Sequence, residues 1–293
     1  MRKAAWMVVK DEEFYVDMAI QSVMDHVDGL AILDTGSRDR TIQIIEEFKN
    51  KYKNKIVLVE KDFGADKEFR FGKTYREAEA RNYAQEIAKS FFSPDWLIQL
   101  DSDEVYNDRF FEIVDSMDLG KNDCFAHSTD LPTSIETTSS NPADMSIWSG
   151  VQLFDPHVRS WAAHLDVKWQ YRIGAHVFPR IPGVPGYLET PTRMITTEHI
   201  HFHLHRAFGP KCIATYITDF RCAYESASIE LKVPLPRIFD QAYFGERWPD
   251  WFENGKFKPK KEVLQKLKKN SVLCSLPSFV IDRWKEWGDW SNW

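Results

Sequence analysis

The sequence has no run of 18 or more apolar residues, so no segment reads as a membrane-spanning helix. Its four cysteines, Cys124, Cys212, Cys222 and Cys274, stand far apart and form no CxxC pair. That spacing argues against a zinc knuckle and against a disulfide framework; the thiols read as free and reduced. No P-loop and no GxGxxG follows the first strand-like segment, which disfavours Walker-type and dinucleotide binding. Positive charge is in deficit: 38 Lys and Arg face 44 Asp and Glu, a formal net charge of −6. A general nucleic-acid coat would be basic, so nucleic acid is disfavoured as a partner, with a local basic patch its one remaining route. The apolar part of "MRKAAWMVVKDEE" is too short for a signal peptide and reads as a first strand. The expected location is the cytoplasm, with a peripheral position at a membrane left open.

What is present is an alternation. The chain of 293 residues suffices for one large α/β domain, with or without a smaller lobe. Apolar runs at 4–9, 29–34, 55–60 and 95–101 read as strands. Between them, 13–27, 37–52 and 75–92 carry helical spacing, the second with Ser37 or Asp39 as N-cap. This β-α-β series predicts an α/β fold: a Rossmann-like, mostly parallel sheet flanked by helices. After residue 130 the pattern breaks. Residues 131–145, rich in Ser, Thr and Pro, read as a loop and a candidate lid; strand-like pieces follow near 147–154, 167–173 and 197–204, with a Pro/Gly loop at 179–191. A first domain over 1–206 and a mainly helical C-terminal extension over 207–293 are expected. In that extension, the lysines of 256–269 read first as a solvated helix face, and Trp284, Trp287, Trp290 and Trp293 as a packing stripe.

Ligands of open parallel sheets bind beyond the carboxyl ends of the strands. Each such end here delivers an acid: "KDEE" after the first strand, "DTGS" after the second, "KDFG" after the third and "DSDE" after the fourth. Crowded carboxylates need a cation or hydrogen-bond donors to compensate them. Asp101 and Asp103, two apart on extended backbone, would point the same way and could share a hard cation such as Mn²⁺ or Mg²⁺, its shell completed by phosphates and water. The plainer readings are a capping Asp101, a solvated Asp103, a capping Asp34 and a surface ion pair for Arg81.

The stretch "MVVKDEEFYVDMAIQSVMDHVDGLAILDTGSRDRTIQII", followed in order by "DFG" (62–64), "EARNYA" (79–84) and "DWLIQLDSDE" (95–104), resembles the opening of family 2 glycosyltransferases of the GT-A fold. The resemblance covers 4–125 strongly and extends weakly to about 206. It implies a GT-A-type sheet and a donor that is a nucleotide-diphosphate sugar, UDP- or GDP-linked. The acceptor would be a hydroxyl of a glycan, a lipid-linked glycan, a protein or a modified nucleobase. It also implies roles: Val9 and Lys10 lining the base and ribose pocket, Asp34 accepting a hydrogen bond from the base, and Thr35-Gly36-Ser37 forming the turn beneath. Arg81, Asn82 and Ser102 would lie near the donor, and Asp101 and Asp103 would hold the metal. His201, in "TTEHIHFHLHR", would be the third metal ligand, with His203 next; the plainer reading of these histidines is a half-buried strand.

The general base is where the sequence departs from the family. Relatives often carry "HE" where this chain reads Ala175-His176-Val177, so the glutamate is absent. His176, Glu189, Glu198 and Asp166 are the candidates to take the acceptor proton in an inverting transfer. Two other classes fit less well: a nucleotidyltransferase, which would want a Gly-rich basic loop where "KDEE" stands, and a non-catalytic nucleotide-sugar-binding protein.

Overall fold

The computed structural model describes residues 1–64, 76–118, 121, 124–127, 131–137, 145–150, 157–171, 177–181, 193–196, 200–204, 252–253, 256–257, 272–275 and 277–287. In chain order the first elements are β1 (Lys3–Val9), α1 (Val16–Met24), β2 (Gly29–Asp34), α2 (Thr41–Lys51), β3 (Ile56–Glu60), α3 (Glu77–Phe92), β4 (Trp96–Gln99), β5 (Glu104–Tyr106) and α4 (Asp108–Asp115). Strands follow: β6 (Cys124–His127), β7 (Leu131–Thr137), β8 (Met145–Gly150), β9 (His157–Ala162), β10 (Lys168–Tyr171), β11 (Val177–Arg180), β12 (Arg193–Thr196) and β13 (His201–His203). The described remainder holds β14 (Phe252–Glu253), β15 (Lys256–Phe257), β16 (Val272–Ser275) and a helix, Ser278–Trp287. The fold is mixed α/β, with a mostly parallel central sheet flanked by helices.

That sheet has seven strands in the order β12-β6-β9-β4-β1-β2-β3. β4, β1, β2 and β3 are mutually parallel, and β12 is parallel to β6. β9 runs antiparallel to both of its neighbours, β4 and β6. β1 shows why the sheet needs helices on both faces. Ala5, Met7 and Val9 join one core with Val16, Ile20 and Val23 of α1 and Phe110 and Val114 of α4. Ala4 and Trp6 join the other with Ala80, Ala84 and Ala88 of α3 and with Trp161 and Trp169. Alternate side chains of a strand point to opposite faces, so a strand covered on both sides reads as one apolar run. Each large side chain buried this way contributes about 1.5–3 kcal/mol.

Alanines at four-residue steps bring α3 close to the sheet. A Cβ on Gly29, where β2 starts, would come within 2.3 Å of the Phe92 ring at the end of α3. Gln85 Nε2 donates to the Val167 carbonyl at 3.0 Å, and Asn82 pairs with both backbone groups of Trp169. α3 is thus sewn to the segment running into β10.

The contacts divide the chain into two interleaved units: Met1–Thr129 with Leu153–Arg172 and Val177–Phe202, and Asp130–Gln152 with Ile173–His176 and His203–Trp293. In the second unit β8 pairs antiparallel with both β7 and β16. The stretch expected to be a loop and lid, 131–145, therefore contains a strand and the start of another. Ile135 and the threonines suit a pleated strand, and the misleading Pro132 sits at a register shift, where a missing N–H is tolerated. Most of 207–293, including nearly all of the lysine-rich stretch, lies outside the described residues. No helix among the described residues is long and apolar enough to cross a membrane.

Candidate functional site

The strand order reverses at β1, which lies between β2 and β4. The crevice at such a reversal opens at the carboxyl ends of the flanking strands, here Val9, Asp34 and Gln99. Two differently built rims meet there.

The first rim joins the loops after β1 and β2. Asp34, 1% exposed, accepts at Oδ1 from Gly36 N at 2.8 Å and Ser37 N at 2.9 Å, and at Oδ2 from the Ser37 hydroxyl. Gly36 supplies the turn with φ +111°, a conformation L side chains rarely adopt. Thr35 N donates to the Val9 carbonyl at 3.0 Å and its hydroxyl to the same oxygen at 3.2 Å. Asp11 N donates to Ser37 Oγ, Arg38 N to Asp11 Oδ1, Glu12 N to Thr41 Oγ1 and Glu13 N to Asp39 Oδ2, at 2.7–3.1 Å. Asp11 holds φ +53° within this zipper. Residues 37–40 are committed to it, so α2 begins at Thr41 rather than at the predicted Ser37 or Asp39 cap. Asp39 still accepts from Thr41 N at 2.9 Å.

The second rim, at the end of β4, is built from ions. Arg81 of α3 donates from Nε to Glu77 at 2.8 Å and from Nη1 to Asp101 Oδ1 at 2.7 Å. Gln99 Nε2 meets the same Oδ1 at 3.1 Å. Arg159 of β9 donates to Asp101 Oδ2 at 3.1 Å and to Glu104 Oε1 at 2.8 Å. Glu104 is fully buried, and its Oε2 lies 3.0 Å from Nε2 of the equally buried His201. The His201 ring stacks on Tyr106, 4.4 Å between centroids, and the Tyr106 hydroxyl donates to the Gln99 carbonyl at 2.8 Å. Arg81 also lies over the Trp169 ring, 4.8 Å from its centroid.

Burial by itself pushes the Asp101 carboxyl up, but the Arg81 guanidinium, helped by Arg159 and opposed by Glu104, brings it below the usual carboxylate range. Burial works against charge on the two arginines. Asp101 and Glu77 outweigh it for Arg81, and Glu104 and Asp101 for Arg159, so both guanidiniums are held charged. Burial, then the Glu104 charge, raises the Tyr106 phenol well above its ordinary value.

The structure therefore brings Arg81 to Asp101 and places Val9, Thr35, Gly36 and Asp34 on the neighbouring strand ends. Ser102 is buried, and Lys10 and Asp103 are half-buried. Asn82 uses its amide on the Trp169 backbone. The three expected metal ligands are not gathered as an open set: His201 is enclosed by Glu104 and Tyr106, and no group of three or more His, Cys, Asp or Glu among the described residues is arranged to hold a metal. The acids alone fit a hard cation better. Asp101 Oδ2 accepts one hydrogen bond and keeps a second lone pair, and one or two carboxylates suffice when phosphates complete the shell. His176, Glu189 and Glu198 lie outside the described residues; Asp166 is exposed and pairs with Lys168 at 3.1 Å. Sequence reasoning missed Arg159. The signal was a single charge inside "HVRSWAA", an otherwise strand-like run.

No family model matches the chain. Over 98 residues, 33% of its length, the chain is 37% identical to a TPR repeat-containing protein of Synechococcus elongatus, of which the match spans 19%. Among solved structures it is similar to S. aureus TarS 1–349 in complex with UDP: 12% identity, TM-score 0.46, covering 78% of this chain and 66% of that one. A mannosyltransferase of Pyrobaculum calidifontis in complex with GDP-Man and Mn²⁺ gives 11% identity and TM-score 0.46, covering 79% and 64%. Glucosyl-3-phosphoglycerate synthase of Mycobacterium tuberculosis with Mn²⁺ and UDP-glucose gives 17% identity and TM-score 0.33, covering 44% and 43%. These are distant likenesses.

Proposed function

We propose that the protein is a glycosyltransferase that moves a sugar from a nucleotide-diphosphate sugar to an acceptor hydroxyl. The observation that carries this reading is the 2.7 Å contact between Arg81 of "EARNYA" and Asp101 of "DWLIQLDSDE". It joins two of the linked motifs at the strand-order reversal, where the Thr35–Val9 contact joins the "VVKDEE" and "DTGS" parts of the opening stretch.

In this reading the nucleoside lies along the ends of β1 and β2, over Val9, Lys10 and the Asp34–Gly36 turn. The diphosphate lies toward the end of β4, where Arg81 offsets part of its charge. Asp101 and Asp103 would hold a Mn²⁺ or Mg²⁺ ion, which when bound stabilises charge on the leaving diphosphate. The acceptor oxygen attacks the anomeric carbon, the bond from that carbon to the phosphate oxygen breaks, and the nucleoside diphosphate departs. The acceptor proton passes to a base among His176, Glu189 and Glu198. Glu104 and His201 support the site from inside the protein.

The test is calorimetry and donor hydrolysis with UDP- and GDP-sugars, with and without Mn²⁺, on the full chain and on Asp103→Ala. Binding of a nucleotide sugar that Asp103→Ala weakens in the presence of Mn²⁺ is expected. Absence of any binding by the wild type overturns the reading, and binding without turnover assigns a non-catalytic nucleotide-sugar-binding role.

A further inference from the structure

Arg159 stands at an irregularity of the main sheet. Between β6 and β9, Phe125 opposes Ser160 and Ala126 opposes Val158, so the ladder skips Arg159. It is the extra residue of a β-bulge. On the other side of β9, pairing with β4 ends at Ile98 opposite Ser160. Arg159 thus falls where the β4 ladder has ended and where the β6 ladder is interrupted before it resumes at Val158 and His157. Bulges re-aim a side chain that regular alternation would send elsewhere, and they concentrate beside functional sites.

Here the re-aimed guanidinium reaches across the end of β4 to Asp101 and Glu104. Its Nε is buried with no hydrogen-bond partner among the described residues. A buried donor left unmatched is unfavourable, so the two carboxylates, rather than local satisfaction, set the orientation of the fork. Glu104 is itself backed by His201.

We propose that Arg159 is the positioning residue for Asp101. Arg81 fixes Oδ1 from α3, Arg159 fixes Oδ2 from β9, and Glu104 anchors Arg159 from the interior. The carboxylate is thereby presented in one orientation, with one lone pair of Oδ2 left for the donor or its ion. Lysine cannot replace this arginine, because a single ammonium on a flexible stem does not reproduce a planar fork across two carboxylates. The role rests on the nucleotide-sugar reading of the site.

Two measurements test it. The first is donor binding to Arg159→Lys, Asp101→Asn and the double variant, by calorimetry with UDP- and GDP-sugars and Mn²⁺. Arg159→Lys is expected to weaken binding about 10- to 100-fold, the range for residues that orient a ligand-binding group. In the Asp101→Asn background the same change should have little further effect, because its target is gone. An undiminished effect there, or wild-type binding by Arg159→Lys, overturns the proposal. The second is a crystal structure of Arg159→Lys beside the wild type, with the Asp101 carboxylate expected to rotate away from its position between the two arginines. An unmoved Asp101 overturns the proposal even if no nucleotide sugar binds. Failure of the wild type to bind any donor, with Asp101 displaced in the variant, overturns the nucleotide-sugar reading alone.

Discussion

The ends of β1 and β2 and the end of β4 both carry crowded carboxylates, and the protein quiets them in different ways. Around Asp34 and Asp11 the compensation comes from backbone N–H groups and hydroxyls of the adjoining loops. Around Asp101 and Glu104 it comes from two guanidiniums. The first arrangement is nearly indifferent to formal charge, because an amide oxygen accepts the same bonds. The second depends on charge, because removing one ion strands others in a partly dry place. A shape-keeping rim thus lies beside a charge-keeping one, the pairing on which the proposed seating of a neutral base next to a diphosphate draws.

The sharpest way to break this contrast is Asp101→Ala. It leaves Arg81 and Arg159 facing each other without their shared partner, and a loss on the order of 3 kcal/mol is expected in urea unfolding. A loss below about 1 kcal/mol would mean the arginines relax into solvent and the network is loose. Next is Asp34→Ala, which frees two backbone donors and a hydroxyl and should lower stability by about 2 kcal/mol. Asp34→Asn keeps the acceptor at Oδ1 and should lose less than about 1 kcal/mol. If Asn and Ala are equally damaging at Asp34, charge matters at that rim too and the contrast fails. Gly36→Ala should cost less than Asp34→Ala: its φ of +111° is strained for a side chain although no heavy atom lies within 4 Å of an added Cβ, and about 1 kcal/mol is expected by thermal unfolding.

Acid titration refines the same comparison. The folded Asp101 carboxyl lies below its unfolded value, so its ionised form contributes stability that is fully present above about pH 4. The contribution is lost as the pH falls through the lower folded value. The stability gap between wild type and Asp101→Asn should therefore narrow as the pH drops below about 4, in urea unfolding at a series of pH values. A gap that stays constant through that window would remove charge from the account.

The parallel half of the fold was legible because its strands are buried on both faces and print as continuous apolar runs between amphipathic helices. Asp34 and Asp101 were also legible, since both end such runs. Their partners were not equally so. The Asp34 donors lie two and three residues away, in reach of a turn reading. Arg159 lies 58 residues beyond Asp101 and is brought to it by a bulge, which leaves no periodic trace in sequence. β7 was hidden by Pro132 and a Ser/Thr-rich composition that favours loops in isolation. His201 was placed correctly in a strand, whereas the direction its ring faces, toward Glu104 and Tyr106, depends on contacts from β5.

The antiparallel strand also dictates an order of assembly. β6 has β9 and β12 as its neighbours in the main sheet, and both follow it in the chain. During synthesis β1 to β4 can zip together as each emerges, but β6 must wait until β9 slots in beside β4. The insertion of β9 beside β4 is the same event that delivers Arg159 to Asp101. A nascent chain halted short of residue 157 would hold a paired parallel core with Asp101 met by Arg81 and still lacking its second guanidinium, so the clamp on that carboxylate closes only when β9 joins the sheet.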